Sequence, residues 1–143
     1  IMKKIIFLLF LSFFSLSYAQ EQIKHPIYPG CQKFKTNEEL SKCFSERLWY
    51  ELNDQTQDDS EDFFRNNKLD HDLILYFTVT KEGKIKNYSY SADSDPMIST
   101  AYLKRINRLF NYYEKNGKKI KPATKDNKPA DFKIIFKVKY RGH

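Results

Sequence analysis

One segment of this chain alternates without a break. Phe132, Ile134, Phe136, Val138 and Tyr140 fall at every second position, and Lys133, Lys137, Lys139 and Arg141 fall between them together with Ile135. Successive side chains of a strand point to opposite faces, so this spacing puts an apolar row on one face and a cationic row on the other. A helix would scatter both rows around its circumference. Residues 132–140 are therefore expected to form a half-buried β-strand, and the rest of the chain must cover its apolar face. The outer lysines serve either to discourage pairing at a sheet edge or to guide an acidic partner strand.

That cover has to come from one small domain, because the chain has 143 residues and domains usually take about 100 to 200. An aromatic share of 16% is too high for a disordered chain. Four Gly and five Pro exclude collagen-like and low-complexity classes. Two cysteines and three scattered histidines do not make a zinc cage, so no metal and no cofactor is expected.

The first nineteen residues read as a signal peptide. Lys3 and Lys4 precede an apolar run from Ile5 to Leu16, and Ser17 and Ala19 set small residues where a signal peptidase cuts. The run is too short to span a bilayer, which takes about 20 apolar residues in a helix. Cleavage is expected between Ala19 and Gln20, giving a periplasmic or secreted protein without an integral membrane anchor. Removing two lysines lowers the net charge from +7 to +5. An exported basic protein is expected to meet acidic surfaces of the envelope, with no nucleic-acid partner.

Export gives the cysteine pair its meaning. Cys31 and Cys43 are the only two, and an even pair at short separation in an oxidising compartment reads as a disulfide. Two free thiols or a redox-active pair are the alternatives, and the latter usually keeps only two residues between its cysteines. Residues 20–36 form an extended arm, since Pro26 and Pro29 exclude helix. Thr36 to Asn53 then reads as a helix. Thr36 and Glu39 match a capping box, and Leu40, Cys43, Phe44, Leu48 and Leu52 recur along one face. A disulfide from Cys43 would pin the arm across this helix.

Asn53 to Asp62 is acidic, but it lacks the spacing and central glycine of a calcium loop and reads as a solvated connection. Leu73 to Thr80 and Ile85 to Ala92 form a hairpin around Gly83. Asp95 and Pro96 open a second amphipathic helix, which carries Ile98, Ala101, Tyr102, Ile106, Leu109, Phe110 and Tyr113 on one face and ends near Gly117. Lys118 to Pro129 shows no periodicity and reads as a long loop. The elements run α-β-β-α-β, an α+β fold.

Catalytic constellations are missing from the sequence. It holds no serine elbow, no glycine-rich phosphate loop and no His pair at helical spacing. Asp70, His71 and Asp72 are adjacent, but neighbours on a strand face opposite ways and cannot act as one unit. No enzyme and no catalytic residue is expected.

The order of elements, together with Pro26-Ile-Tyr-Pro-Gly-Cys31, Asn37-Glu-Glu-Leu-Ser-Lys-Cys-Phe44, Phe77-Thr-Val-Thr-Lys-Glu-Gly-Lys-Ile85, Asp95-Pro96 and Lys121-Pro-Ala-Thr-Lys-Asp-Asn-Lys-Pro129, resembles the TonB C-terminal domain, in particular small exported members with a Pro-Gly-Cys arm. The resemblance implies a two-layer domain over residues 37–143, a three-stranded antiparallel sheet with helices on one face. It also implies that a protein or peptide, such as a periplasmic segment of an outer-membrane transporter, adds to the edge of the last strand. The partner-binding residues would be Lys133, Ile135, Lys137, Lys139 and Arg141. The chain departs from the family pattern before its first long strand, where it has the acidic run and Asn66-Asn-Lys-Leu-Asp70. Without the inner-membrane helix and Pro-rich spacer of transducing members, an accessory or adaptor role is expected. The alternative is a secreted or surface structural module whose basic face binds acidic glycan or lipid headgroups. The oligomeric state is not legible in the sequence.

Overall fold

The computed structural model describes residues 20–54 and 71–139. The segment expected to be a signal peptide, most of the acidic connection, Asp70, Tyr140 and Arg141 lie outside them. The elements are β1 (Ile23–Lys24), α1 (Asn37–Asp54), β2 (Leu73–Val79), β3 (Ile85–Tyr90), α2 (Pro96–Lys115), β4 (Ala123–Lys125), β5 (Lys128–Ala130) and β6 (Phe132–Val138). The class is α+β.

Both helices begin where their caps dictate. Glu39 N–H donates to Thr36 Oγ1 at 3.2 Å while Thr36 N–H donates to Glu39 Oε2 at 3.3 Å, a reciprocal capping box. These bonds to its charged form hold the Glu39 carboxyl below its ordinary range, the Thr36 backbone contributing most. In α2, Ile98 N–H donates to Asp95 Oδ1 at 2.9 Å, and Pro96 opens the helix, where a missing N–H costs nothing. Lys118 N–H donates to the Tyr113 carbonyl at 3.0 Å across Gly117 at φ +71°, which closes the helix.

The main sheet has the order β3-β2-β6, all antiparallel. Leu73, Leu75, Phe77 and Val79 of β2 and Ile134, Phe136 and Val138 of β6 are buried on one face, against Phe44, Leu48 and Leu52 of α1 and Ile106 and Phe110 of α2. The other face carries Ile74, Tyr76 and Thr78 beside Lys133, Ile135 and Lys137. The turn from β2 to β3 depends on Gly83 at φ +78°. A Cβ there would lie 2.5 Å from the Ile120 carbonyl oxygen, so no other residue fits without moving the chain.

The expected three-stranded sheet is thus present, but it is accompanied by a second three-stranded sheet of order β1-β4-β5. This corrects the reading of Lys118 to Pro129 as a loop. Asp126 and Asn127, at φ 49° and 64°, make a tight turn of the hairpin type between β4 and β5. Strands of three residues are too short for alternation to register, which is why periodicity missed them. The arm is extended as expected and is also structural. Ile23 and Lys24 pair with β4, and Ile27 exchanges two backbone bonds with Lys121, at 2.9 and 3.0 Å.

Tyr28 carries the arm into the core, fully buried, with Phe44 at 4.9 Å and Phe110 and Tyr113 at 6.2 Å between ring centroids. Its hydroxyl donates to Glu51 Oε2 at 3.2 Å. Burial, then the Glu51 carboxylate, holds the phenol far above its ordinary range. Cys31 and Cys43 are joined, with Cα atoms 6.0 Å apart, so the arm is fastened to α1 as the spacing implied.

Candidate protein-binding edge

Of the five binding residues expected from sequence, Lys133, Ile135 and Lys137 lie on β6, and the hydrogen-bond pattern of the sheet fixes which way each faces. The Ile74 carbonyl accepts from Ser91 N–H at 2.9 Å, and Thr80 N–H donates to the Lys84 carbonyl at 2.8 Å. The even-numbered residues of this stretch therefore direct their main-chain groups toward β3. In an antiparallel ladder each residue sends its N–H and C=O to the same side, and successive residues alternate. Leu73, Leu75, Phe77 and Val79 thus bond to β6, opposite Val138, Phe136, Ile134 and Phe132. Lys133, Ile135 and Lys137 are left with N–H and C=O directed at the outer edge. Among the described residues no strand pairs with that edge.

The side chains of these three residues share the outer face. Ile135 is 64% exposed. Lys133 Nζ lies 4.3 Å from the centroid of the Tyr76 ring, and Lys137 Nζ lies 3.1 Å from Asp72 Oδ2. Lys139 is exposed just past the strand, and Arg141 lies outside the described residues. Asp131, at the start of β6, accepts Lys81 N–H at 2.7 Å.

On the inner face the edge borders a groove of about 210 Å³ between β6 and α1, lined by Pro26, Ser41, Phe44 and Ser45 on one side and by Phe132 to Ile135 on the other. Sequence reasoning did not single out Ser41 and Ser45, because small polar residues on a helix carry no signal until a strand is laid beside them. His25 touches two of the residues that line the groove. Its ring packs at a tilt against Phe132, 4.6 Å between centroids, and its Nδ1 is 2.7 Å from Ser41 Oγ. Partial burial lowers the affinity of this imidazole for a proton, against a raising contribution from a hydrogen bond with the Asn37 backbone.

A second groove, of about 260 Å³, lies at the opposite sheet edge, with Lys84, Lys86, Lys118 and Lys119 around Tyr88, Phe110 and Ile120. The Asp70-His71-Asp72 triplet is not assembled into a site: His71 Nε2 is 2.7 Å from the Asp93 carbonyl, Asp72 faces Lys137, and Asp70 is not among the described residues. Among the described residues, no three His, Cys, Asp or Glu side chains converge as metal ligands, and no helix is long and apolar enough to cross a membrane.

Compared with family models, curated proteins and solved structures, the chain matches none.

Proposed function

We propose that this protein is a non-catalytic TonB-like binding domain of the periplasm, which takes an extended segment of another protein onto the edge of β6. The observation that carries this reading is the open edge, where Lys133, Ile135 and Lys137 present main-chain donors and acceptors in an unbroken row. An incoming extended chain would gain main-chain hydrogen bonds of about 0.5 to 1.5 kcal/mol each. The resemblance to TonB C-terminal domains points to a periplasmic segment of an outer-membrane transporter as the partner. In this reading the domain serves as an adaptor or competitor.

The test is recovery of a partner from envelope extract on the immobilised protein and on its Ile135→Pro variant. The wild type should retain a partner that the variant loses, with the circular dichroism of the two unchanged. Retention by a folded variant would sink the proposal. Lys86, Lys118 and Lys119 around the groove beside β3 favour a second reading, binding of acidic glycan or lipid headgroups, while Lys84 there is paired with Glu114 at 3.4 Å. Salt separates the two, since purely ionic binding fades between low and physiological ionic strength while backbone pairing persists.

A further inference from the structure

We infer that the edge of β6 reads its partner at one end only, through Lys133 and the groove beside Ile134, and that the segment it accepts carries an acidic residue next to an aliphatic one. The inference rests on the strand-addition reading and adds the chemistry of the partner.

The lysines of the edge are unequal. Lys137 already faces the Asp72 carboxylate at 3.1 Å, so a second carboxylate brought opposite it meets a charge that is largely balanced. Among the described residues, Lys133 faces no carboxylate at such a distance. Its ammonium lies over the Tyr76 ring, which leaves its donors available, and the neighbouring Asp131 carboxylate is turned to the Lys81 N–H. A residue added directly opposite Lys133 lies on the same outer face, at cross-strand contact distance. An Asp or Glu there is favoured and a Lys or Arg is disfavoured.

The next residue of the incoming segment, opposite Ile134, points the other way. It enters the groove between β6 and α1, which is lined by Pro26, Ser41, Phe44, Ser45 and Phe132. A cavity of about 210 Å³ with mainly apolar walls suits a single Val, Ile or Leu. The order of the pair then reports strand direction. An antiparallel partner presents aliphatic then acidic, and a parallel partner presents acidic then aliphatic.

Two capped peptides test this, Ser-Thr-Glu-Val-Thr-Thr-Ser and Ser-Thr-Val-Glu-Thr-Thr-Ser, titrated against the protein by calorimetry. One order should bind and the other should be weaker. Replacing the peptide glutamate by glutamine, or making Lys133→Gln in the protein, should each weaken binding by about fivefold, as for an exposed ion pair. The two changes together should cost little more than either alone. Lys137→Gln should change affinity less than twofold. Replacing the valine by glycine should weaken binding by about tenfold.

Equal effects of Lys133→Gln and Lys137→Gln, insensitivity to the valine, or no binding of either peptide would overturn the inference. A peptide N-methylated at its edge-facing amides separates the two levels. If N-methylation abolishes binding while the lysines prove equivalent, strand addition stands and the one-ended reading falls. If N-methylation has no effect, strand addition itself falls.

Discussion

The main sheet has two edges, and they are built to opposite specifications. β6 pairs with β2 in a continuous register over all seven residues, from Leu73 opposite Val138 to Val79 opposite Phe132. β3 slips: Tyr76 lies opposite Ser89 and Thr78 opposite Lys86, so three residues of β3 span what two cover on β2, and Asn87 takes up the excess at φ 57°. Such a bulge twists the strand and breaks the even row of donors and acceptors that a foreign strand would need. One edge is blunted by geometry. The other is left regular and guarded only by side chains, which can be matched by a partner of opposite charge. The regular edge also has a firm neighbour, since α1 beside it is fastened to the arm by Cys31–Cys43.

The largest test of this contrast uses the alternation along β6. Ile134→Pro removes a ladder bond and a buried side chain, and should lower stability by about 3 kcal/mol or more. Ile135→Pro removes an outward donor and an exposed side chain, so its cost should be about 1 kcal/mol or less, with loss of partner binding. Urea unfolding compares the two, and similar losses would contradict the assigned alternation.

Next in size is the fastening of α1. The double variant Cys31→Ser/Cys43→Ser should lose about 2 to 3 kcal/mol, because the loop it closes no longer restricts the unfolded chain. The circular dichroism of the sheet should persist, while binding at β6 weakens because one wall of the groove is loosened. Thiol labelling of denatured, unreduced protein should modify neither cysteine. Stoichiometric labelling of both would remove the basis for the comparison.

The bulge itself gives a smaller effect. Asn87→Val places a β-branched residue in the left-handed region and should cost about 1 to 2 kcal/mol. Deleting Asn87 sets Tyr88 opposite Phe77 and makes β3 regular while keeping each side chain on its present face. Sedimentation should then show concentration-dependent association that the wild type lacks. A deletion variant that stays as dispersed as the wild type would show that the bulge is not what protects this edge.

The smallest effect is the pH response of the groove. The folded-state pKa of His25 lies below its ordinary 6.5, so between the two values the unfolded chain binds more protons than the folded one. Stability should therefore decline slightly as pH falls through 6.5 toward the folded value. His25→Gln should flatten that decline, as read from urea midpoints across the range.

Much of this was legible from local pattern. The alternation of Phe132 to Val138, the faces of both helices, the caps at Thr36 and Asp95 and the hairpin at Gly83 all stand where spacing and residue type put them. Ala101 is only half-buried, because a helical stripe is wider than the surface that covers it. Lys133, Ile135 and Lys137 were recognisable as one face of a strand. Their difference was not, since it comes from Asp72 and Tyr76, about sixty residues away along the chain.

The sequence by itself determined both helices and the three long strands, because helix and strand periods, capping boxes and turn glycines act between residues that are near neighbours. It also pointed to a bridge between Cys31 and Cys43, and the structure joins them. Only the tertiary structure decided that β2 lies at the centre and β6 at an edge, that Ile23 and Lys24 pair with β4 a hundred residues on, and that Ser41 and Ser45 border a groove. Those outcomes depend on which distant surfaces bury each other, and a short strand with no visible period acquires its place only when another part of the chain completes its hydrogen bonds.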